Sequence, residues 1–211
     1  MMAQLSPCEA LTIARIVRVN HAGEYGAIRI YSAQIAIATR LYPDIAPALA
    51  EMLEHEKRHC RLFFEAMPAR HSRPCRIMSL WSWGGALLGV ITALMGRQAI
   101  WICTAAVEAA VHRHLDDQLH FLKGRDEELA GIILSIREEE LAHLHHAEAH
   151  LGAASLLSNA LRRVVAWATD LVIWLSTWGD STRMAKELRL TLTTERTAAS
   201  DRSSPVSRFA D

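Results

Sequence analysis

The sequence predicts an all-α bundle made of two copies of one helical hairpin, together with extra apolar helices. Hydrophobic residues occupy 51% of the 211 positions, yet only 6% of the chain is aromatic. With 10 glycines and 6 prolines, the chain has fewer turn-forming residues than a β-sandwich needs. A set of glutamates and histidines also recurs at a constant interval of 84 residues. Composition and repeat together favour a helical architecture.

The first hairpin is predicted from residues that cap or break helices. Ser6–Glu9 has the pattern of a capping box with a proline at the first helical position, so a helix begins here. Apolar residues then recur with a helical period as far as Pro43, and a second helix fills the stretch between Pro43 and Pro68. Gly23 and Gly26 lie inside the first helix, where glycine weakens the expectation that the helix is unbroken.

The second hairpin is predicted at about residues 98–123 and 126–150. Each of its helices is followed by a glycine suited to a helix C-terminus, Gly124 and Gly152. A mostly apolar segment follows each hairpin, at 77–96 and at 156–178. After Gly179 the composition turns to Ser, Thr and Arg, which cannot bury a core. We therefore expect one folded domain, 1–179, and a polar disordered tail, 180–211.

Charge and cysteine content exclude several classes of protein. Lys and Arg number 23 and Asp and Glu also number 23, so the net charge is zero and bulk charge does not favour a nucleic-acid partner. The four cysteines lie far apart without a Cys-x-x-Cys pair, which argues against a disulfide framework or a thiolate zinc site. The N-terminal residues contain no apolar run typical of a secretory signal. We expect a reducing, cytoplasmic compartment.

The repeated polar residues predict a metal site. Each hairpin carries a lone glutamate and, 32 residues later, a Glu-x-x-His pair whose two side chains share one helix face. Two copies supply four carboxylates and two imidazoles, the ligand set of dinuclear iron carboxylate bundles, with open positions for dioxygen. The alternative is that these residues are solvated charges on helix faces. That alternative does not explain the shared offset. The predicted metal ligands are Glu24, Glu56, His59, Glu108, Glu140 and His143.

Several motifs resemble the demethoxyubiquinone hydroxylases of ubiquinone biosynthesis. They are Asn-His-Ala-Gly-Glu-Tyr-Gly-Ala at 20–27, Glu-Lys-Arg-His at 56–59, Ala-Val-Glu at 106–108 and Glu-Glu-Glu-Leu-Ala-His at 138–143. The resemblance covers roughly residues 12–179. It implies a ferritin-like four-helix bundle in which the six predicted ligands bind two iron ions. The chain departs from the family pattern at two positions, where relatives carry an acidic residue and a tyrosine: Ala109 and Leu115.

The resemblance also implies a reaction and its partners. The reaction is oxygen-dependent hydroxylation of a demethoxy ubiquinol ring, of the 2-polyprenyl-3-methyl-6-methoxy-1,4-benzoquinol type. The expected partners are this prenylated quinol, dioxygen, a membrane surface and a lipid-binding partner protein. No glycine-rich nucleotide-binding motif is present in the sequence. Electrons are therefore expected from an external donor such as NADH or a reductase.

The two apolar segments are predicted to bind the cytoplasmic side of the cell membrane without crossing it. Residues 77–96 are uncharged and long enough to span a bilayer. Predicted ligands lie both before and after this segment, however, and one crossing would place them on opposite sides of the membrane. The segment is therefore expected to re-enter or to lie in the interface. All six tryptophans lie in or beside the apolar segments, as expected at a membrane boundary. The alternative is that both segments fill the bundle core.

Other functions and other ligands remain open from the sequence. An iron-storing or peroxide-scavenging ferritin-like protein would use the same ligands, although it has no need for long apolar segments rich in tryptophan. A metal-free scaffold at the membrane surface is a further alternative. His114 is a candidate for orienting a metal ligand through a hydrogen bond, or else an ordinary histidine. His112 either competes as a ligand or lies at the surface.

Overall fold

The computed structural model describes residues 5–153, 155–186, 188–190 and 193. Within these ranges the chain is helical and contains no strand. A short 3-10 turn at Pro68–Arg70 follows the second helix. The six α-helices are α1 (Pro7–Leu41), α2 (Ala46–Ala66), α3 (Met78–Leu94), α4 (Arg97–Leu122), α5 (Glu127–Ala149) and α6 (Leu156–Thr177).

The local signals at the start of α1 act as predicted. The Ser6 hydroxyl accepts a hydrogen bond from the Glu9 amide at 3.3 Å, and the Glu9 carboxylate accepts one from the Ser6 amide at 2.9 Å. The helix then continues unbroken for 35 residues through both internal glycines. At the end of α4, Gly124 adopts a φ of +74°, which glycine tolerates best. Gly152 has no such role, because α5 ends at Ala149 and is capped by His150.

The helices pair as the repeat predicted. Helix α1 packs against α2, and α4 packs against α5, so that each repeat unit is a hairpin. Contacts between α2 and α5 and between α1 and α4 join the two hairpins into a four-helix bundle. Helix α3 lies mainly on α1, and α6 lies mainly on α4. Each hairpin therefore has one additional covering helix.

Two apolar clusters fill the bundle on either side of a polar layer. Along α1, Val17 belongs to the first cluster and Ala27 to the second, with Glu24 between them. The same order, apolar then acidic then apolar, holds along α2, α4 and α5. Both clusters are almost fully buried. The polar layer is therefore closed at both ends by packed side chains and has a low local dielectric.

Close backbone contact holds α3 against α1. A Cβ atom added at Gly85 would lie 2.5 Å from the Gly26 carbonyl oxygen, and one added at Gly89 would lie 2.4 Å from the Ile30 carbonyl oxygen. Neither distance leaves room for a methyl group. Gly84, by contrast, has no atom within 4 Å of an added Cβ. Gly85 and Gly89 are therefore the residues that allow the two helices to approach.

Helices α3 and α6 leave many large apolar side chains exposed. No described helix is both long enough and apolar enough to cross a membrane. The alternative of core filling accounts for only part of these helices, because α3 buries its glycine face on α1 and exposes the opposite face. Trp101 departs from the predicted membrane boundary, since it is 2% exposed and packs near His146 inside the bundle. The most exposed apolar residues of the two helices are Trp83, Leu87, Leu94, Val164, Trp167 and, directly after α6, Trp178.

The prediction of a disordered tail from residue 180 is wrong for its first residues. Residues 180–186 and 188–190 are helical. Gly179 turns the chain with a φ of +81°, and the Asp180 carboxylate then accepts a hydrogen bond from Arg15 of α1 at 2.6 Å. Met184 is 2% exposed and joins the first apolar cluster. One ion pair and one apolar side chain anchor a segment whose average composition is polar. The rest of the predicted tail, apart from Thr193, lies outside the described residues.

Candidate metal centre

The six residues predicted as ligands meet in the polar layer. Helix α1 supplies Glu24 and α4 supplies Glu108, while α2 and α5 each supply one Glu-x-x-His pair. All six residues are buried, with exposures between 1% and 6%. Glutamate and histidine are rarely buried so completely unless they are paired or bind a metal. The reading of these residues as solvated charges is therefore wrong.

Ligand atoms form two overlapping groups, each within 4.8 Å. One group consists of Glu24, Glu56, His59 and Glu140, and the other of Glu56, Glu108, Glu140 and His143. Glu56 and Glu140 belong to both groups. This arrangement suits two neighbouring cations that share two bridging carboxylates, with one further carboxylate and one imidazole for each cation.

Several atoms that face the centre have no hydrogen-bond partner in the protein. They include one carboxylate oxygen of Glu56, both carboxylate oxygens of Glu140, and the Nδ1 atoms of His59 and His143. His59 Nδ1 lies 3.0 Å from a Glu140 oxygen, and His143 Nδ1 lies 3.4 Å from a Glu56 oxygen. Leaving such polar atoms buried and unpaired costs about 1–3 kcal/mol each. A divalent cation would satisfy them together, and the carboxylate and imidazole donors fit iron.

Electrostatics within the cluster also favour a cation. Burial, followed by repulsion from Glu140, raises the pKa of both Glu56 and Glu108 well above the usual carboxyl range. Burial also acts to raise the pKa of Glu140, but interactions with His143 and His59 outweigh it and lower that pKa. For His59, interactions with Glu140 and Glu24 overcome burial and raise the pKa to about 10. Without metal the cluster therefore retains protons, which a cation would displace.

Three residues that sequence reasoning missed contact the ligands from outside. The Tyr31 hydroxyl donates to Glu108 at 2.7 Å. The Nε2 atom of His59 lies 3.0 Å from a Glu139 oxygen, and the Nε2 atom of His143 lies 2.9 Å from His55 Nδ1. Such contacts fix the orientation of a ligand ring. Tyr31 could have been found from the sequence, because it lies two helical turns after Glu24 on the same face.

The two other histidines considered from the sequence lie further out. His114 Nε2 is 3.0 Å from an Asp170 oxygen on α6, and His114 also lines the cavity beside the ligands. His112 Nε2 is 3.7 Å from Asp116. Among the described residues, neither histidine belongs to the two groups that could hold a cation. A role for His114 in orienting a ligand stays a prediction.

An apolar cavity of about 230 Å³ opens directly onto the carboxylates. Its floor includes all four glutamates of the cluster, and its walls come from α1, α3, α4 and α6. The wall residues are mostly apolar, including Trp81, Leu88 and Val172. An amide pair adds polarity at one side, where Asn20 and Gln118 donate to each other at 2.7 and 3.0 Å. This combination of an apolar chamber and a few fixed polar groups is typical of a site for an organic ligand.

The chain is similar over most of its length to proteins of ubiquinone biosynthesis. A family model described as ubiquinone biosynthesis protein COQ7 matches residues 11–176. The chain is 39% identical over 172 residues to the Mus musculus protein named NADPH-dependent 3-demethoxyubiquinone 3-hydroxylase, mitochondrial, a match covering 78% of this chain and 76% of the relative.

Bacterial and fungal proteins show the same similarity. The Rhodospirillum rubrum protein named 3-demethoxyubiquinol 3-hydroxylase is 34% identical over 170 residues, covering 81% of this chain and 80% of the relative. The Saccharomyces cerevisiae protein named 5-demethoxyubiquinone hydroxylase, mitochondrial, is 33% identical over 161 residues, covering 69% of each chain. Together with the buried glutamate and histidine cluster, these matches establish that the chain belongs to the COQ7 family of ubiquinone biosynthesis proteins.

Proposed function

We propose that this protein hydroxylates the ring of a demethoxy ubiquinol with dioxygen, using two iron ions. The observation that carries the proposal is the pair of overlapping buried ligand groups at the floor of an apolar cavity. The names of the family relatives support the reaction. One atom of dioxygen enters the ring and the other leaves as water, so an external donor must supply two electrons. The mitochondrial relatives' names specify NADPH dependence.

Six side chains of this protein would hold the metal. Glu56 and Glu140 would bridge the two ions, Glu24 and His59 would complete one position, and Glu108 and His143 would complete the other; these are the same six residues that form the two groups. Iron bound there supplies the activation of dioxygen. The four carboxylates offset the charge of two divalent ions, which makes binding in a buried layer favourable.

The cavity suits a quinol ring with an apolar tail. The ring would lie against the carboxylate floor, and the prenyl chain would leave along the apolar walls of α3 and α6. The mutual hydrogen bonds of Asn20 and Gln118 fix two amide groups at the wall, where they can orient ring oxygens. Burial holds the pKa of Tyr31 well above its usual value, so its hydroxyl keeps its proton and continues to donate to Glu108. The apolar walls exclude water from the reacting ring.

We also propose that the exposed faces of α3 and α6 bind a membrane surface without spanning the bilayer. Trp83 and Trp178 are more than three-quarters exposed, at 77% and 76%. Tryptophan favours the boundary between lipid and water. A polyprenyl substrate resides in the bilayer, and both faces belong to helices that also line the cavity. Tail entry from lipid would then need no transfer through water. A lipid-binding partner protein would contact the same faces.

The direct test joins metal content to product formation. Protein purified with ample iron is expected to contain two iron ions per chain and to convert a demethoxy quinol into its hydroxylated product when given dioxygen and a reductant. Glu108→Ala is expected to remove most of this activity. A conservative change outside the site, Glu127→Gln, serves as the control. An iron-storing ferritin-like protein would instead oxidise iron and leave the quinol unchanged.

A genetic test addresses the pathway. In a strain without this gene, lipid extraction is expected to show the demethoxy precursor in place of ubiquinone. The wild-type gene should restore ubiquinone, and the Glu108→Ala gene should not. Normal ubiquinone in the deletion strain would contradict the proposed reaction.

A further inference from the structure

The outer ring nitrogens of the two histidines have different partners. His59 Nε2 lies 3.0 Å from a carboxylate oxygen of Glu139. His143 Nε2 lies 2.9 Å from the imidazole Nδ1 of His55. In both histidines the Nδ1 atom faces the carboxylate cluster and lacks a hydrogen-bond partner. A metal bound at Nδ1 would leave Nε2 as the proton donor, so His59 would donate to a carboxylate and His143 to a neutral imidazole.

These two partners occupy the same position in the internal repeat. His55 and Glu139 are 84 residues apart, and each directly precedes a bridging glutamate. Each contacts the histidine of the opposite hairpin, so the repeat places both in equivalent surroundings. The difference between them therefore comes from side-chain chemistry at one equivalent position. Arg58 strengthens the difference, because it pairs with Glu139, whereas the position 84 residues later is Ala142.

Tyr31 adds a second difference between the two metal positions. Its hydroxyl donates to a Glu108 oxygen at 2.7 Å. The residue 84 positions later is Leu115, which has no hydroxyl to donate toward Glu24. A hydrogen bond to a carboxylate withdraws electron density from it and makes it a weaker metal ligand. Glu108 is thus weakened on the same side of the cluster where His143 has only a neutral partner.

We propose that Glu139, His55 and Tyr31 are positioning residues that make the two cation positions unequal. The position of Glu24 and His59 binds a divalent cation more tightly than the position of Glu108 and His143. A carboxylate that accepts from an imidazole raises its basicity more than a neutral ring does. The inference rests on the proposed metal site, but not on the proposed substrate or reaction.

Two variants isolate the positions for a binding test with Co²⁺. Glu108→Ala leaves the Glu24 and His59 position intact, and Glu24→Ala leaves the Glu108 and His143 position intact. Calorimetric titration with Co²⁺, followed in parallel by the visible absorption of bound cobalt, measures each affinity. We expect Glu108→Ala to bind Co²⁺ about tenfold or more tightly than Glu24→Ala, the range seen when partners of ligands are changed.

A second substitution then assigns the cause. Glu139→Gln keeps an acceptor oxygen and removes the charge, so it should weaken binding about tenfold in the Glu108→Ala protein and leave the Glu24→Ala protein unchanged. The matched control is His55→Gln, which replaces one neutral acceptor with another and should change neither affinity. A merely structural role for Glu139 would weaken both proteins alike. Circular dichroism checks that each variant is folded.

The outcomes separate this inference from the proposed function. If wild-type protein binds no Co²⁺ or Fe²⁺, the metal centre itself is overturned. If wild-type protein binds two cations but the two single-position variants have equal affinities, including none in either, the inequality is overturned and the metal centre stands. Equal weakening by Glu139→Gln in both variants would also overturn the inequality.

Discussion

The α1–α2 and α4–α5 hairpins supply matching ligands but are covered in different ways. On the first hairpin, α3 lies against α1 through glycines, with backbone atoms in near contact. On the second, α6 reaches α4 through polar side chains, since Asp170 accepts from Arg113 at 3.2 Å and lies 3.0 Å from His114 Nε2. Repetition therefore extends to the buried ligands and stops at the outer surface. The metal positions require equivalent geometry, whereas covering helices need only complementary shapes.

The bridging glutamates should show the largest effect, and the effect should be equal in the two hairpins. Glu56→Ala and its repeat counterpart Glu140→Ala each remove a carboxylate shared by both groups. Each variant is expected to lose both iron ions and nearly all activity. Iron analysis of the purified proteins measures this directly. Retention of one full iron ion in either variant would show that the carboxylate does not bridge.

Metal binding should stabilise both hairpins together. Because the cluster joins four helices, any cation that binds only the folded protein raises its stability, by about 2.7 kcal/mol at a free concentration one hundred times Kd. Thermal unfolding with and without Fe²⁺ under anaerobic conditions should show a higher Tm with metal. The Glu140→Ala protein is the control and should show no shift.

The covering helix of the first hairpin should be sensitive to added volume. Gly85→Ala places a methyl group 2.5 Å from the Gly26 carbonyl oxygen and should destabilise the fold by about 1–3 kcal/mol. The neighbouring Gly84→Ala is the matched control, because that site is open and alanine favours the helix by roughly 0.5–1 kcal/mol. Denaturant unfolding in a detergent solution compares the two. Equal stability of both variants would contradict the close approach of α3 to α1.

The covering helix of the second hairpin should tolerate loss of its polar contact. The Arg113 and Asp170 side chains are 56% and 45% exposed, and exposed ion pairs contribute about 0–1 kcal/mol. Asp170→Asn is therefore expected to lower the free energy of unfolding by less than Gly85→Ala does. The same denaturant experiment measures it. A larger loss than for Gly85→Ala would reverse the comparison between the hairpins.

The sequence predicted the helices and the six clustered residues because those features depend on local patterns and on the repeat. Capping at Ser6, the prolines and the 3.6-residue period act over a few residues. The constant offset related residues that are far apart without any knowledge of the fold. The choice of Glu56 and Glu140 as the shared pair was not available from spacing, since both groups look alike in the sequence.

Other features became visible only when helices from different parts of the chain met. His55 contacts His143 across 88 positions, and Tyr31 contacts Glu108 across 77. Trp101 was expected near lipid from its sequence neighbours, but α4 turns it into the bundle. The first residues of the predicted tail are ordered by Arg15 and by the apolar cluster around Met184.

Sequence alone determined which residues can act, namely an all-helical chain with a twofold repeat of carboxylates and imidazoles. It did so because helical periodicity and residue chemistry are local properties. Tertiary structure decided which carboxylates are shared, which partner holds each histidine ring and which faces of α3 and α6 remain exposed. Those features depend on distances between helices, and such distances are set by packing among residues that are remote in the chain.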